Sequence, residues 1–149
     1  MSHVCFQKKW AVVPIMLILA GVVWTGCSTV QERPADTIVV QDTGDGKYYF
    51  FDDVLVPKEL NYKPGKSFVY ETTKLKAGSL FFSGWWMDIE PLMQFFTDHM
   101  LKDKWKLANS FRGKEYVLNF SKPDKTCSIR IVDTWYGFVD VEIRVGPLA

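Results

Sequence analysis

The sequence predicts an α+β domain: a single antiparallel sheet of about six strands, in the order β-β-α-β-β-β-β, with one helix packed on one face. Three features predict it. Val139, Val141, Ile143 and Val145 alternate with Asp140, Glu142 and Arg144, the period of a strand with one dry face and one wet face. Ile89, Leu92, Met93, Phe96 and Met100 recur at three- and four-residue steps, the single stripe of an amphipathic helix. The β-rich segments after that helix are joined by links so short that neighbours must be antiparallel.

The elements follow in order. Val56-Pro57-Lys-Glu-Leu60 leads to a turn at Lys63-Pro-Gly65. Two strands then follow, about Ser67–Thr72 and Ala77–Gly84, marked by β-branched and aromatic residues. Asp88 is placed as the helix N-cap, with Glu90 in the first turn, where negative charge meets the positive end of the dipole. Pro91 is tolerable this early in a helix. Lys102 and Lys104 close it, and Phe95 and Leu101 widen its apolar surface for packing on a sheet. Four strands remain: Trp105–Phe111, Glu115–Ser121, Thr126–Asp133 and Phe138–Val145. Their turns are Arg112-Gly-Lys114, Lys122-Pro-Asp-Lys125 and Tyr136-Gly137.

The chain has 149 residues, 48% hydrophobic and 23% charged, which suits one globular domain. Its amino terminus reads as an address. Lys8 and Lys9 precede a charge-free run from Ala11 to Trp24, interrupted by Pro14 and short for a spanning helix, which needs about 20 apolar residues. Small residues follow, then Cys27, as in a secretory signal with its cleavage site. The expected organisation is a signal over residues 1–26, a modified cysteine and flexible tether over 27–47, and the α+β domain over 48–149. Ile38-Val39-Val40 within the tether suits either an edge strand or a partner-binding run. Loss of Lys8 and Lys9 leaves the mature chain with one more acidic residue than basic ones. No basic stripe is present to neutralise phosphates, so nucleic acid is excluded as a partner.

Trp24-Thr25-Gly26-Cys27 resembles the lipobox of bacterial lipoproteins, with Trp24 where an aliphatic residue is usual. The resemblance implies cleavage after Gly26, acylation of Cys27 with palmitate-type chains, and attachment to the membrane. Two or more chains are needed for stable anchoring. Ser28 follows the cysteine, and by the sorting rule of enteric lipoproteins this points to the periplasmic face of the outer membrane rather than the inner membrane. Val56-Pro-x-Glu-Leu60, Phe95-Phe96 with Met100, Trp105-x-Leu107 and Lys122-Pro-Asp-Lys-Thr-Cys127 resemble small proteobacterial lipoproteins of unknown function. That resemblance implies a fold and an address but no activity. The layout is also similar to accessory lipoproteins of outer-membrane assembly, by architecture alone.

Chemistry is sparse. Cys5 leaves with the signal and Cys27 is acylated, so Cys127 stands alone and no internal disulfide is possible. Cys127 shares a strand face with Ile129 and Ile131, which predicts a buried, inert thiol; the alternatives are a reactive thiol or an intermolecular bridge. His99 lies at the margin of the helical stripe without companion ligands. The carboxylate pairs Asp52-Asp53 and Asp88/Glu90 carry no sign of a substrate cleft. Asp42-Thr-Gly-Asp-Gly-Lys47 lacks the ligand register of a calcium loop and the spaced glycines and Lys-Ser/Thr of a phosphate loop. No catalytic residue, metal site or cofactor is assigned, and the chain is read as non-enzymatic.

The better leads are the aromatic pairs Trp85-Trp86 and Trp135-Tyr136. If each pair lies within a strand, one ring points to the core and one outward. Outward rings suit a sugar, a peptide or a membrane interface, whereas rings at sheet ends also serve to cover core edges. The favoured function is an interaction or accessory module docking onto another envelope protein through a sheet edge or an aromatic patch. The alternative is a binder of a small lipid or glycan in a groove between helix and sheet.

Overall fold

A computed structural model describes residues 41–148. The expected signal with Gly26, Cys27, and the expected tether up to Val40 lie outside these residues. The main sheet is antiparallel throughout. Its strands are β4 (Asn61–Tyr62), β5 (Phe68–Glu71), β6 (Lys76–Trp85), β7 (Lys106–Arg112), β8 (Tyr116–Ser121), β9 (Lys125–Thr134) and β10 (Phe138–Pro147). The order across it is β4-β6-β10-β9-β8-β7, with β5 also paired to β6. Strands β4 and β5 occupy one edge of β6 in succession, Asn61 opposite Ser83 and Phe68 opposite Ser79. The 3-10 turn Pro64–Lys66 breaks that edge in two, because proline cannot donate to a ladder. The sheet therefore has seven strands where about six were expected, because a short additional strand, β4, precedes the first expected one and shares its edge of β6.

The helix α1 (Ile89–Lys102) carries the chain from β6 to the opposite edge at β7. Leu92, Met93, Phe96 and Met100 are its buried side. They meet Leu80 and Phe82 of β6, Val141 and Ile143 of β10, Ile129 and Ile131 of β9, and Leu118 and Phe120 of β8 in one core. Asp88 sits at the N-cap in extended conformation, but its side chain makes no capping hydrogen bond. The C-terminus is built more firmly. Lys104 adopts φ 66, and the amides of Lys104 and Trp105 donate to the carbonyls of Leu101 and Met100. This is a Schellman closure with lysine where glycine is usual, and the buried Trp105 and Met100 supply its apolar contact.

The expectation of a single sheet is corrected. A second, three-stranded antiparallel sheet is formed by β1 (Gln41–Asp42), β2 (Gly46–Tyr48) and β3 (Leu55–Pro57). Residues 41–47, read as the end of the tether, form its first hairpin. Their Gly-Asp-Gly composition has a structural cause. Gly44 turns the hairpin at φ 85, its amide held by Asp42 Oδ1, and a Cβ on Gly46 would meet the Val56 carbonyl at 2.5 Å. Val54 and Val56 bury into the same core as α1, so helix and small sheet together roof one face.

A second correction concerns β10. Asp140 and Arg144 face solvent, but Glu142 between them is only 4% exposed. It lies on the unroofed face and is covered by its own partners. Ser79 and Arg144 donate to one carboxylate oxygen at 3.0 and 2.7 Å, and the Arg130 Nε donates to the other at 3.1 Å.

Candidate docking site: an aromatic tip

The antiparallel register joins the two aromatic pairs. Phe138 of β10 stands opposite Trp85 of β6 and also opposite Thr134 of β9. The β6–α1 junction and the β9–β10 loop therefore meet at one end of the sheet. The Trp86 amide donates to the Gly137 carbonyl at 2.8 Å, tying loop to junction. Trp85 packs on Phe138 with ring centroids 3.9 Å apart, and Trp135 stacks on Tyr136 at 4.7 Å with the planes 14° apart.

All four candidate residues are exposed: Trp85 by 58%, Trp86 by 81%, Trp135 by 82% and Tyr136 by 70%. The expectation of one buried ring per pair is thereby corrected. Its premise was that both members lie in a strand, whereas β6 ends at Trp85 and the Trp135–Gly137 loop lies outside any strand. Trp86 and Tyr136 have φ of 50° and 70°, so strand alternation does not apply. Left-handed backbone disfavours side chains with a Cβ by roughly 1–2 kcal/mol. Gly137, at φ 74, is placed beneath the Trp86 ring, whose nearest atom would lie 3.2 Å from an added Cβ. Two large aromatics thus occupy strained positions and return little of that cost through burial.

The remaining sequence candidates lie elsewhere. His99 donates from Nδ1–H to the Phe95 carbonyl at 2.9 Å and stacks on Phe95, a local satisfaction without further ligands. Cys127 is buried, and burial followed by the nearby Asp53 charge pushes its thiol pKa well up, leaving it protonated. Among the described residues no group of three or more His, Cys, Asp or Glu side chains is arranged to hold a metal.

Sequence reasoning missed a charged staple at the opposite end. Asp53 pairs with Lys122 and with Lys125, the latter at 2.8 Å, both on the β8–β9 turn. Both ammonium groups lie over the Trp105 ring, whose indole N–H donates to the Asp53 carbonyl at 2.8 Å. Burial raises the Asp53 pKa, but the lysine hydrogen bonds and charges outweigh it and the net shift is downward. Glu142 behaves alike: burial raises its pKa, and bonds from Arg144, Ser79 and Arg130 bring it below the ordinary value. Asp53 and Lys122 were each visible in the sequence, but nothing local pairs residues so far apart.

Two open grooves accompany these features. One, of about 300 Å³, runs between α1 and β7 and is lined by Met93, Leu107 and Leu118 together with Glu90, Gln94, Asp98 and Arg112. The other, of about 510 Å³, lies along the ends of β8, β9 and β10, beside Arg144, Ser128 and Asn119. No protein family matches the chain, and neither does any curated protein or solved structure.

Proposed function

We propose that this protein is a lipid-anchored, non-enzymatic docking module of the bacterial cell envelope, and that the aromatic tip is the surface that meets its partner, another envelope protein. Anchoring rests on the n-region, the apolar run and the lipobox-like Trp24–Cys27, with Gly26 as the cleavage position and Cys27 as the acylated residue. The periplasmic face of the outer membrane is the favoured location, on the strength of Ser28.

One observation carries the docking function. Trp86 and Tyr136 hold left-handed backbone yet stand more than two-thirds exposed. Folding gains little from such residues, and strained outliers of this kind concentrate at functional sites. Exposed Trp and Tyr clusters are also the composition of binding hot spots.

The tip lies away from the point where the described chain begins. Gln41 pairs with Tyr48, whose hydroxyl donates to Asp103 just past the C-terminus of α1. Trp86 precedes the N-terminus of the same 14-residue helix, about 21 Å away along its axis. Gln41, the first described residue, therefore lies toward the end of the domain remote from the tip.

The alternative, a lipid or glycan held between helix and sheet, has the 300 Å³ groove in its favour. That volume is at the lower limit of ligand sites, and charged and amide groups line much of it. Native mass spectrometry of the intact extracted protein separates the readings, because a binder carries extra mass beyond its acyl chains.

A photoreactive residue replacing Trp86 or Trp135 in intact cells tests the docking function. A discrete adduct with one envelope protein is expected from both positions. No protein adduct from either position contradicts the proposal.

A further inference from the structure

We infer that the partner surface received by the aromatic tip is cationic, presenting arginine or lysine side chains to the faces of Trp86, Trp135 and Tyr136. This rests on the docking function proposed above and assigns it a chemistry.

The charges that flank the rings along the chain are all acidic. Asp88 lies two residues after Trp86, Asp133 two before Trp135, and Asp140 two after Phe138. All three carboxylates are exposed, and among the described residues none makes an ion pair. Asp140 follows Phe138 along β10 at a two-residue step, which places it on the same sheet face as the Phe138–Trp85 pair. The cations at this end are Arg112 and Lys114, on the β7–β8 hairpin at the far edge of the sheet, and Lys58, on the β3–β4 turn with the acidic Glu59 beside it. Arg112 is already engaged by both Glu90 oxygens, at 3.1 and 2.9 Å.

An aromatic face attracts a cation through its quadrupole, most strongly for Trp, and arginine is the commonest partner. Adjacent carboxylates add charge-assisted hydrogen bonds to the same guanidinium or ammonium group. The ring of carboxylates also selects against two competing surfaces. An anionic bilayer is repelled by it, because membrane-surface binding draws on Lys and Arg. A neutral sugar needs donors as well as acceptors around its hydroxyls, whereas ionised carboxylates only accept. Complementary charge of this kind chiefly governs encounter rate and partner choice.

The test uses the full-length chain in intact cells with p-benzoylphenylalanine replacing Trp135. Adduct yield is compared among the otherwise unchanged chain, an Asp133→Lys/Asp140→Lys background, and an Asp124→Lys control at the opposite end. Purified samples of each are checked for unchanged thermal unfolding. The expected result is a protein adduct whose cross-linked segment is rich in Arg or Lys. Its yield should fall roughly tenfold or more with the double reversal and stay unchanged with the control. Equal yield in the double reversal, or a cross-linked segment without basic residues, overturns the cationic assignment and leaves docking intact. An adduct to lipid or glycan alone, or none, overturns the docking function and the assignment together.

Discussion

At the residue scale, the tip is held by one glycine. Gly137 combines φ 74 with a Trp86 ring at van der Waals distance, so Gly137→Ala meets both backbone strain and a ring that must shift. The substitution should cost about 1 kcal/mol or slightly more and displace Trp86. Chemical denaturation gives the first quantity and tryptophan emission the second; an unchanged spectrum would show that the ring does not rest there. Cys127 offers a separate check. Its thiol is buried and its pKa raised, so a soluble disulfide reagent should leave it unmodified in the native protein and react only on unfolding. Rapid labelling of the folded state would contradict its placement. The type of these residues was legible in the sequence, but their conformation was not. Nothing in Trp85-Trp86 announces that the strand stops between them.

At the element scale, legibility followed length. The helix and the long strands were readable because each repeats its pattern several times: four buried apolar positions in α1, four in β10. Strands β1 to β4 are two or three residues long, too short for a period to register, and their identity comes from partners supplied by the rest of the chain. The tip failed to appear as a unit for the same reason. Trp85 and Phe138 become neighbours only through the β6–β10 register, which brings the last strand to the middle of the sheet. The staple that fixes the small sheet to the β8–β9 turn is also non-local. Asp53→Ala leaves Lys122 and Lys125 largely buried side by side without their carboxylate, and should destabilise the protein by about 2 kcal/mol. Denaturation of the purified variant measures this, and a loss below about 0.5 kcal/mol would show that the lysines relax into solvent.

At the scale of the whole molecule, Asp53 and Glu142 set the response to acid. Both carboxyls have native pKa values lowered from ordinary values of 3.8 and 4.5. A lowered native pKa means that the unfolded chain takes up protons first as pH falls. Their contribution is therefore complete above about pH 5 and is lost progressively below pH 4.5, until the native groups protonate too. The thermal midpoint should hold steady from pH 7 to 5 and then fall, with a shallower fall in Glu142→Gln; equal slopes would exclude Glu142 from the acid response. The larger proposition is that the domain is built to fold without its tip and to bind with it. The most direct measurement is recovery of the proposed partner with a Trp86→Asn/Trp135→Ser/Tyr136→Asn variant, in which Asn suits the two left-handed positions. The prediction is a thermal midpoint close to that of the native protein, with the partner lost from the purified material. Undiminished recovery of the same partner by the folded variant would contradict docking through the aromatic tip.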